Sequence, residues 1–251
     1  SITNIKNYYK QWYVPNNMAI CMSGDLDPDA TIALIDKYFG GLKPNPELPK
    51  LDLPKEAPIT QPVVKEVLGP DAESVALAWR FPGVSDKDFE ILQVVSQVLY
   101  NGKAGLIDLD LNQQQKVLNS YGYPMGLADY SAFILGGLPK QGQTLEEVKD
   151  LLLNEIKKLR AGEFDEKMLQ ANINNFKLYE LQSMESNEGR ADIFVNSFIN
   201  GTNWEDEVTA IDRMAKLTKE DIVAFADKYL KEDNYAVIYK KQGKDPNEKK
   251  M

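Results

Sequence analysis

Few residues in this chain can do chemistry, and the ones it lacks decide the most. Its 251 residues include no histidine and a single cysteine, Cys21. Ser-His-Asp and Cys-His catalytic sets need an imidazole as general base, and an ordinary mononuclear zinc site needs several ligands that Cys21 alone cannot replace. Most hydrolytic chemistry is therefore excluded from this chain. The carboxylates of "DLDPDA" (25–30) alternate as in a calcium loop. That stretch lacks the glycine at the sixth position and the glutamate at the twelfth, so Asp27 reads as a helix N-cap with Pro28 in the first helical position. "NGKAG" (101–105) looks like a phosphate loop, but it lacks the Lys-Ser/Thr ending and follows a helix instead of a strand, which rejects nucleotide binding.

Composition narrows the remaining classes. A net charge of −9 and a pI near 4.8 argue against nucleic acid, whose binding needs a basic stripe. With 43% hydrophobic and 27% charged residues the chain is globular. No apolar run approaches the ~18 residues of a membrane span. Cys21 lies inside the apolar "MAICM", which predicts a buried, unreactive thiol. One cysteine leaves redox environment and compartment open.

The elements that must position any site divide at a connector. Residues 44–62 hold six of the 13 prolines, which marks a stiff, extended linker. Before it, the patterning predicts a helix from Asn4 to about Trp12, a strand Met18 to Met22 and the helix opened by Asp27. After it come a buried strand over 73–81 and a helix started by Ser85 and Asp88, with Phe89, Leu92, Val95 and Leu99 on one face. A short helical stretch is expected at 106–111, and strands near 116–123 and 131–138. Thr144 and Glu147 form a capping box before a long amphipathic helix. Helices over 166–181, 190–199, 208–215 and 218–230 precede a closing strand, 235–239. This order predicts an α+β fold with helices on an antiparallel or mixed sheet.

The two ends of the chain repeat. At an offset of 217 residues, "IKNYYKQWYVPNNMAI" (5–20) aligns with "IVAFADKYLKEDNYAV" (222–237): helix, break, strand. The period is domain-sized. It implies that residues 1–43 end one copy of a domain and that 63–240 form a whole second copy, with 241–251 a polar stub. Roughly 154 residues would then precede Ser1 in the parent protein. A helix–break–strand end common to many α+β domains is the plainer alternative.

"YYKQWYVPNNMAICMSGDLDPDATIALIDKYFGGL" (8–42) resembles the segment that ends the catalytic domain of the pitrilysin/insulinase family of zinc metallopeptidases, which includes the mitochondrial processing peptidases. "FPGVSDKDFEILQVVSQVLYNGKAG" (81–105) continues the likeness into the next domain. The resemblance implies a duplicated-domain metallohydrolase fold whose α/β domains pair into a clamshell around an unfolded peptide, with zinc in the first domain of the parent. The family's motif, His-x-x-Glu-His on a helix, puts two imidazoles on one face for Zn²⁺ and a glutamate beside the metal-bound water. The resemblance places Gln93, Ser96 and Gln97 at those three positions. None is a useful zinc ligand, and polar residues on the outer side of an amphipathic helix fit equally.

This chain is thus expected to hold no catalytic and no metal-binding residue, and to be the non-catalytic part of a zinc endopeptidase, walling its peptide chamber. An intact motif is expected roughly 124 residues before Ser1. Substrate-contact candidates are the loop residues Gly102, Lys103 and Gly105, with Leu106 where relatives have arginine, together with Tyr121 and Tyr123 in "NSYGYP". Edge-strand tyrosines also simply pack on sheets. Expected partners are the rest of the parent or a second peptidase subunit, an unfolded peptide, and a second copy through an exposed strand 18–22. The alternative is a metal-free scaffold of the same fold, like the core subunits of respiratory complexes.

Overall fold

The computed structural model of the protein describes residues 1–50 and 54–244. Linker positions 51–53, and 245–251 of the expected polar stub, lie outside the described residues. The chain divides into two compact units: Ser1–Glu56 with Glu180–Trp204, and Ala57–Tyr179 with Glu205–Met251.

The larger unit holds one five-stranded mixed sheet. Its strands are β1 (Val63–Gly69), β2 (Ser74–Pro82), β3 (Asn119–Met125), β4 (Tyr130–Leu138) and β5 (Tyr235–Gln242), in the order β1-β5-β2-β4-β3. Only β1 and β5 run parallel. Strict alternation makes β2: Val75, Leu77, Trp79 and Phe81 are buried on one face while the residues between them are half-exposed. Phe133 and Leu135 of β4, and Val237 of β5, extend the same buried face.

Helices α3 (Lys87–Leu99), α4 (Leu145–Arg160) and α8 (Lys219–Tyr229) pack on this sheet. Thr144 and Glu147 close α4 with the expected capping box, and Val148, Leu152, Ile156 and Leu159 form its buried stripe. The N-cap of α3 is Asp86, whose carboxylate accepts from the Asp88 N–H, and not Ser85. β3 begins three residues later than the expected strand near Lys116, because 113–116 still belong to the turn after a π-helical stretch, Asp108–Asn112. β1 has no counterpart in the sequence reading. Val63, Val64, Val67 and Leu68 are exposed on both faces of this edge strand, so no alternation marks it.

In the smaller unit, α1 (Ile2–Trp12) and α2 (Pro28–Phe39) bury no residue. Asp27 caps α2 by accepting from the Ala30 N–H at 2.9 Å, as the cap reading of "DLDPDA" requires. Within the same unit, α6 (Asn187–Asn200) follows the end of α5 (Lys167–Glu185). Its Arg190 donates to Ser23 Oγ at 3.1 Å. α7 (Trp204–Met214) begins at this unit's border.

The strand expected at Met18–Met22 is not formed. The segment enters in extended conformation at Met18 (φ −131°, ψ 147°) but no strand partner pairs with it. A strand is defined by its ladder, and the apolar pattern alone supplies only half of one. Cys21 is accordingly half-buried, not buried.

The helix and the break at the two ends nonetheless match in local geometry. At the same offset of 217, α1 coincides end for end with α8. Ser1 and Thr218 are the N-caps, each accepting from the third helical N–H. The C-caps Tyr13 (φ −89°, ψ 70°) and Leu230 (φ −97°, ψ 60°) share an unusual conformation. Asn17 Nδ2 donates to the Trp12 carbonyl at 3.0 Å, and Asn234 Nδ2 to the Tyr229 carbonyl at 2.8 Å. What differs is cover. Ile222 and Phe225 are 0% and 4% exposed, whereas their counterparts Ile5 and Tyr8 are 70% and 61% exposed.

Candidate functional site

The candidate residues occupy α3, the loop that follows it, and β3. Gln93 and Gln97 lie one turn apart on α3, half-buried, and Ser96 is buried. Among the described residues no three His, Cys, Asp or Glu side chains gather as a metal site. Amide and hydroxyl groups at these three positions are a poor donor set for zinc, which takes thiolate, imidazole or carboxylate. Zinc therefore does not fit here.

α3 is held firmly at its other end. Asp88 in its first turn accepts from Lys228 Nζ at 2.8 Å and from the Tyr229 hydroxyl of α8. Burial pushes the Asp88 carboxyl up, but the hydrogen bonds from Lys228 and Tyr229 outweigh it and hold it below the usual carboxylate range. Arg213 of α7 reaches Glu90, two residues later, with Nε–Oε distances of 3.2 and 3.0 Å. These contacts orient the helix.

The loop Asn101–Gly105 consumes its own donors. Asn101 Oδ1 accepts from the N–H groups of Lys103 and Ala104 at 3.1 and 2.8 Å. Asp108 Oδ2 accepts from those of Asn101 and Gly105, both at 3.0 Å. An anion would find those four amides already engaged, which agrees with rejecting a phosphate loop. Gly102 adopts φ +77°, and a Cβ on Gly105 would stand 2.6 Å from the Leu99 carbonyl oxygen. Both glycines are explained by the turn that folds this loop against the end of α3.

Tyr121 and Tyr123 share a face of β3, with ring centroids 6.1 Å apart and planes 19° from parallel. Tyr121 lies flat on the sheet: a Cβ on its partner Gly136 would fall 2.2 Å from the ring. Burial raises its hydroxyl pKa, and the neighbouring Tyr123 adds to the effect. Tyr123 and Met125 continue this row outward and are exposed. Gly122 between them faces the other way, towards Leu135, Phe133 and Tyr100. The tyrosines thus lie on the sheet face opposite the buried core that α3 covers. The structure brings the two tyrosines together but does not join them with Gln93, Ser96 and Gln97 into one site.

Sequence reasoning passed over the groups that shape this region: Asn101, Asp108 and Asn112. The Asn-Gly step at 101–102 was the available signal for an Asx-type turn. A cluster of titratable side chains also lies nearby. Lys158 Nζ bridges Asp110 Oδ2 at 2.5 Å and Glu155 Oε1 at 2.9 Å. Burial raises the Glu155 carboxyl pKa against the pull of Lys158, while the Lys158 hydrogen bond lowers that of Asp110. With its cation bonded to both acids, the cluster ties α4 to the 108–112 turn.

Comparison with known proteins gives the family of the chain and relatives of its fold. Residues 1–176 match the model of the peptidase M16 inactive domain. The zinc protease PqqE of Helicobacter pylori (strain ATCC 700392 / 26695) is 26% identical over 250 residues, covering 96% of this chain and 55% of that protein. The crystal structure of a protease from Helicobacter pylori superposes with a TM-score of 0.89 at 22% identity, over 96% of this chain and 59% of that one. A peptidase M16 inactive domain from Pseudomonas fluorescens gives 0.73 at 15% identity, over 90% and 54%. The chain spans about half the length of the curated relative it matches.

Proposed function

Since the chain belongs to the peptidase M16 inactive-domain family, we propose that it is the non-catalytic portion of a zinc-dependent metalloendopeptidase and forms part of the wall that encloses its peptide substrate. In this reading residues 1–43 close a first, metal-bearing domain encoded upstream, 44–62 link the domains, and 63–240 are the second domain. Zinc and the hydrolytic step belong to the upstream domain. The partners are that domain, on the same chain or on a second subunit, and an unfolded peptide.

The observation that carries this reading is the unequal cover of the repeat. α1 and α8 share caps, length and the Asn17/Asn234 hydrogen bond, yet only α8 has a sheet against its apolar side. In the second copy, β5 lies between β1 and β2 as an interior strand. Its counterpart Met18–Met22 has the same place to fill in a sheet of like design. Without that sheet the segment has free edges, which is also the route by which two copies of this chain could pair.

Metal analysis after dialysis and a quenched-peptide assay, run on this chain and on the product of the complete reading frame, test the proposal. The complete product should hold one zinc and cleave in a chelator-sensitive manner; this chain should do neither. A complete product without zinc or cleavage would support the scaffold alternative. Cleavage by this chain alone would overturn the placement of the active site.

A further inference from the structure

The outer edge of β3 is a position at which a polypeptide could join this sheet as an added strand. In an antiparallel ladder, alternate residues turn both backbone groups towards the neighbouring strand and those between turn both away. Ser120 belongs to the outward set, because its N–H and C=O meet a side chain instead of β4. Asn112 Oδ1 accepts from the Ser120 N–H at 2.8 Å, and Asn112 Nδ2 donates to the Ser120 carbonyl at 2.8 Å. The same Oδ1 accepts from the Ser120 hydroxyl at 2.8 Å. Gly122 and Pro124 follow on the same side by period two. Proline has no N–H to offer.

We infer that the Asn112 carboxamide, together with Pro124, closes this edge to backbone pairing. A primary amide carries the donor and acceptor of a peptide group, and here both are spent on one outward-facing residue, as an added strand would spend them. Of the three outward positions, Ser120 is occupied, Pro124 lacks a donor, and Gly122 keeps one. The clasp is anchored, not incidental. Asn112 ends the π-helical stretch, which Asp108 fixes to the Asn101–Gly105 loop and Asp110 fixes to Lys158. The inference rests on the chamber-wall reading and sharpens it. Peptide held by the parent meets this domain through side chains, such as the exposed Tyr123, and is not threaded onto β3.

Amide hydrogen exchange at positions 120 and 122, and at 124 once Pro124→Val supplies an N–H there, tests this, with and without a soluble, lysine-flanked Thr-Val repeat peptide as the strand donor. The wild-type chain should show no peptide-dependent protection at Ser120 or Gly122. Asn112→Ala should speed Ser120 exchange at least about tenfold. Asn112→Ala combined with Pro124→Val should gain about tenfold peptide-dependent protection at 122 and 124. Unchanged protection of the Val75–Trp79 amides shows that each variant is folded. Peptide-dependent protection of the wild-type edge overturns the inference, and so does a folded double variant that gains none. Should the double variant not fold, the wild-type and Asn112→Ala results decide: Ser120 exchange unchanged by Asn112→Ala would also overturn it. These outcomes are independent of the zinc assay, so the edge can prove open while the peptidase reading stands, or the reverse.

Discussion

Truncating the same side chain in both copies of the repeat should have very different costs. Ile222 is fully buried, between α8 and the sheet, and Ile5 is its counterpart on α1 at 70% exposure. Ile222→Ala loses the transfer free energy of the removed carbons and leaves a cavity, about 2–5 kcal/mol. Ile5→Ala removes a group that keeps less than a third of its surface covered. Its loss is therefore limited to about 0.5 kcal/mol, and the change to alanine in a helix offsets part of that. The assay is urea denaturation of the isolated chain followed by amide exchange, with the β2 amides reporting on the larger unit for Ile222→Ala and the α1 amides on the smaller unit for Ile5→Ala. The reasoning also demands that Ile5→Ala become costly, about 2–5 kcal/mol, in the product of the complete reading frame, where the missing sheet would cover α1. Equal destabilisation by the two variants in the isolated chain would show that α1 is already packed, and would refute the account of an uncovered first copy.

Three further outcomes are expected. Asp88→Asn should lower stability by about 1 kcal/mol at neutral pH; because the folded Asp88 pKa is lowered, the difference from wild type is full above the ordinary carboxylate range and vanishes as pH falls through the lowered value, which thermal melts at stepped pH can follow. Lys158→Met leaves Glu155 and Asp110 facing each other without a cation and should cost about 2 kcal/mol at pH 7. Since burial already raises the Glu155 pKa, that loss should shrink on mild acidification as Glu155 takes a proton, at higher pH than the Asp88→Asn difference disappears. Gly105→Ala should destabilise by about 1–3 kcal/mol in urea melts, because its Cβ would strike the Leu99 carbonyl, a backbone atom that cannot swing aside.

Much of the fold was legible because it is written in local chemistry. The capping box at Thr144–Glu147, the Asp27 cap and the alternation of β2 are short-range patterns, and each appears within a residue or two of its expected place. β1 was not legible: its partner β5 lies about 170 residues away and neither of its faces is dry, so neither periodicity nor apolar content distinguishes it from linker. Met18–Met22 shows the converse, a clear strand pattern that cannot become a strand without neighbours. At the candidate site, Tyr121 and Tyr123 were candidates from the "NSYGYP" stretch, and the structure sets them side by side on β3. The Asn112–Ser120 clasp depends on a π-helical turn bringing residues eight apart into register, which no period in the sequence announces.

The central claim is that the first 43 residues belong to a domain whose remainder is encoded upstream, and hydrogen exchange of the isolated chain in dilute solution tests it most directly. The amides of Ala19–Met22 should exchange at close to unprotected rates while those of Val75–Trp79, in the middle of the sheet, are strongly protected; in the product of the complete reading frame both sets should be protected alike. Equal, concentration-independent protection of the two segments in the isolated chain would contradict the claim.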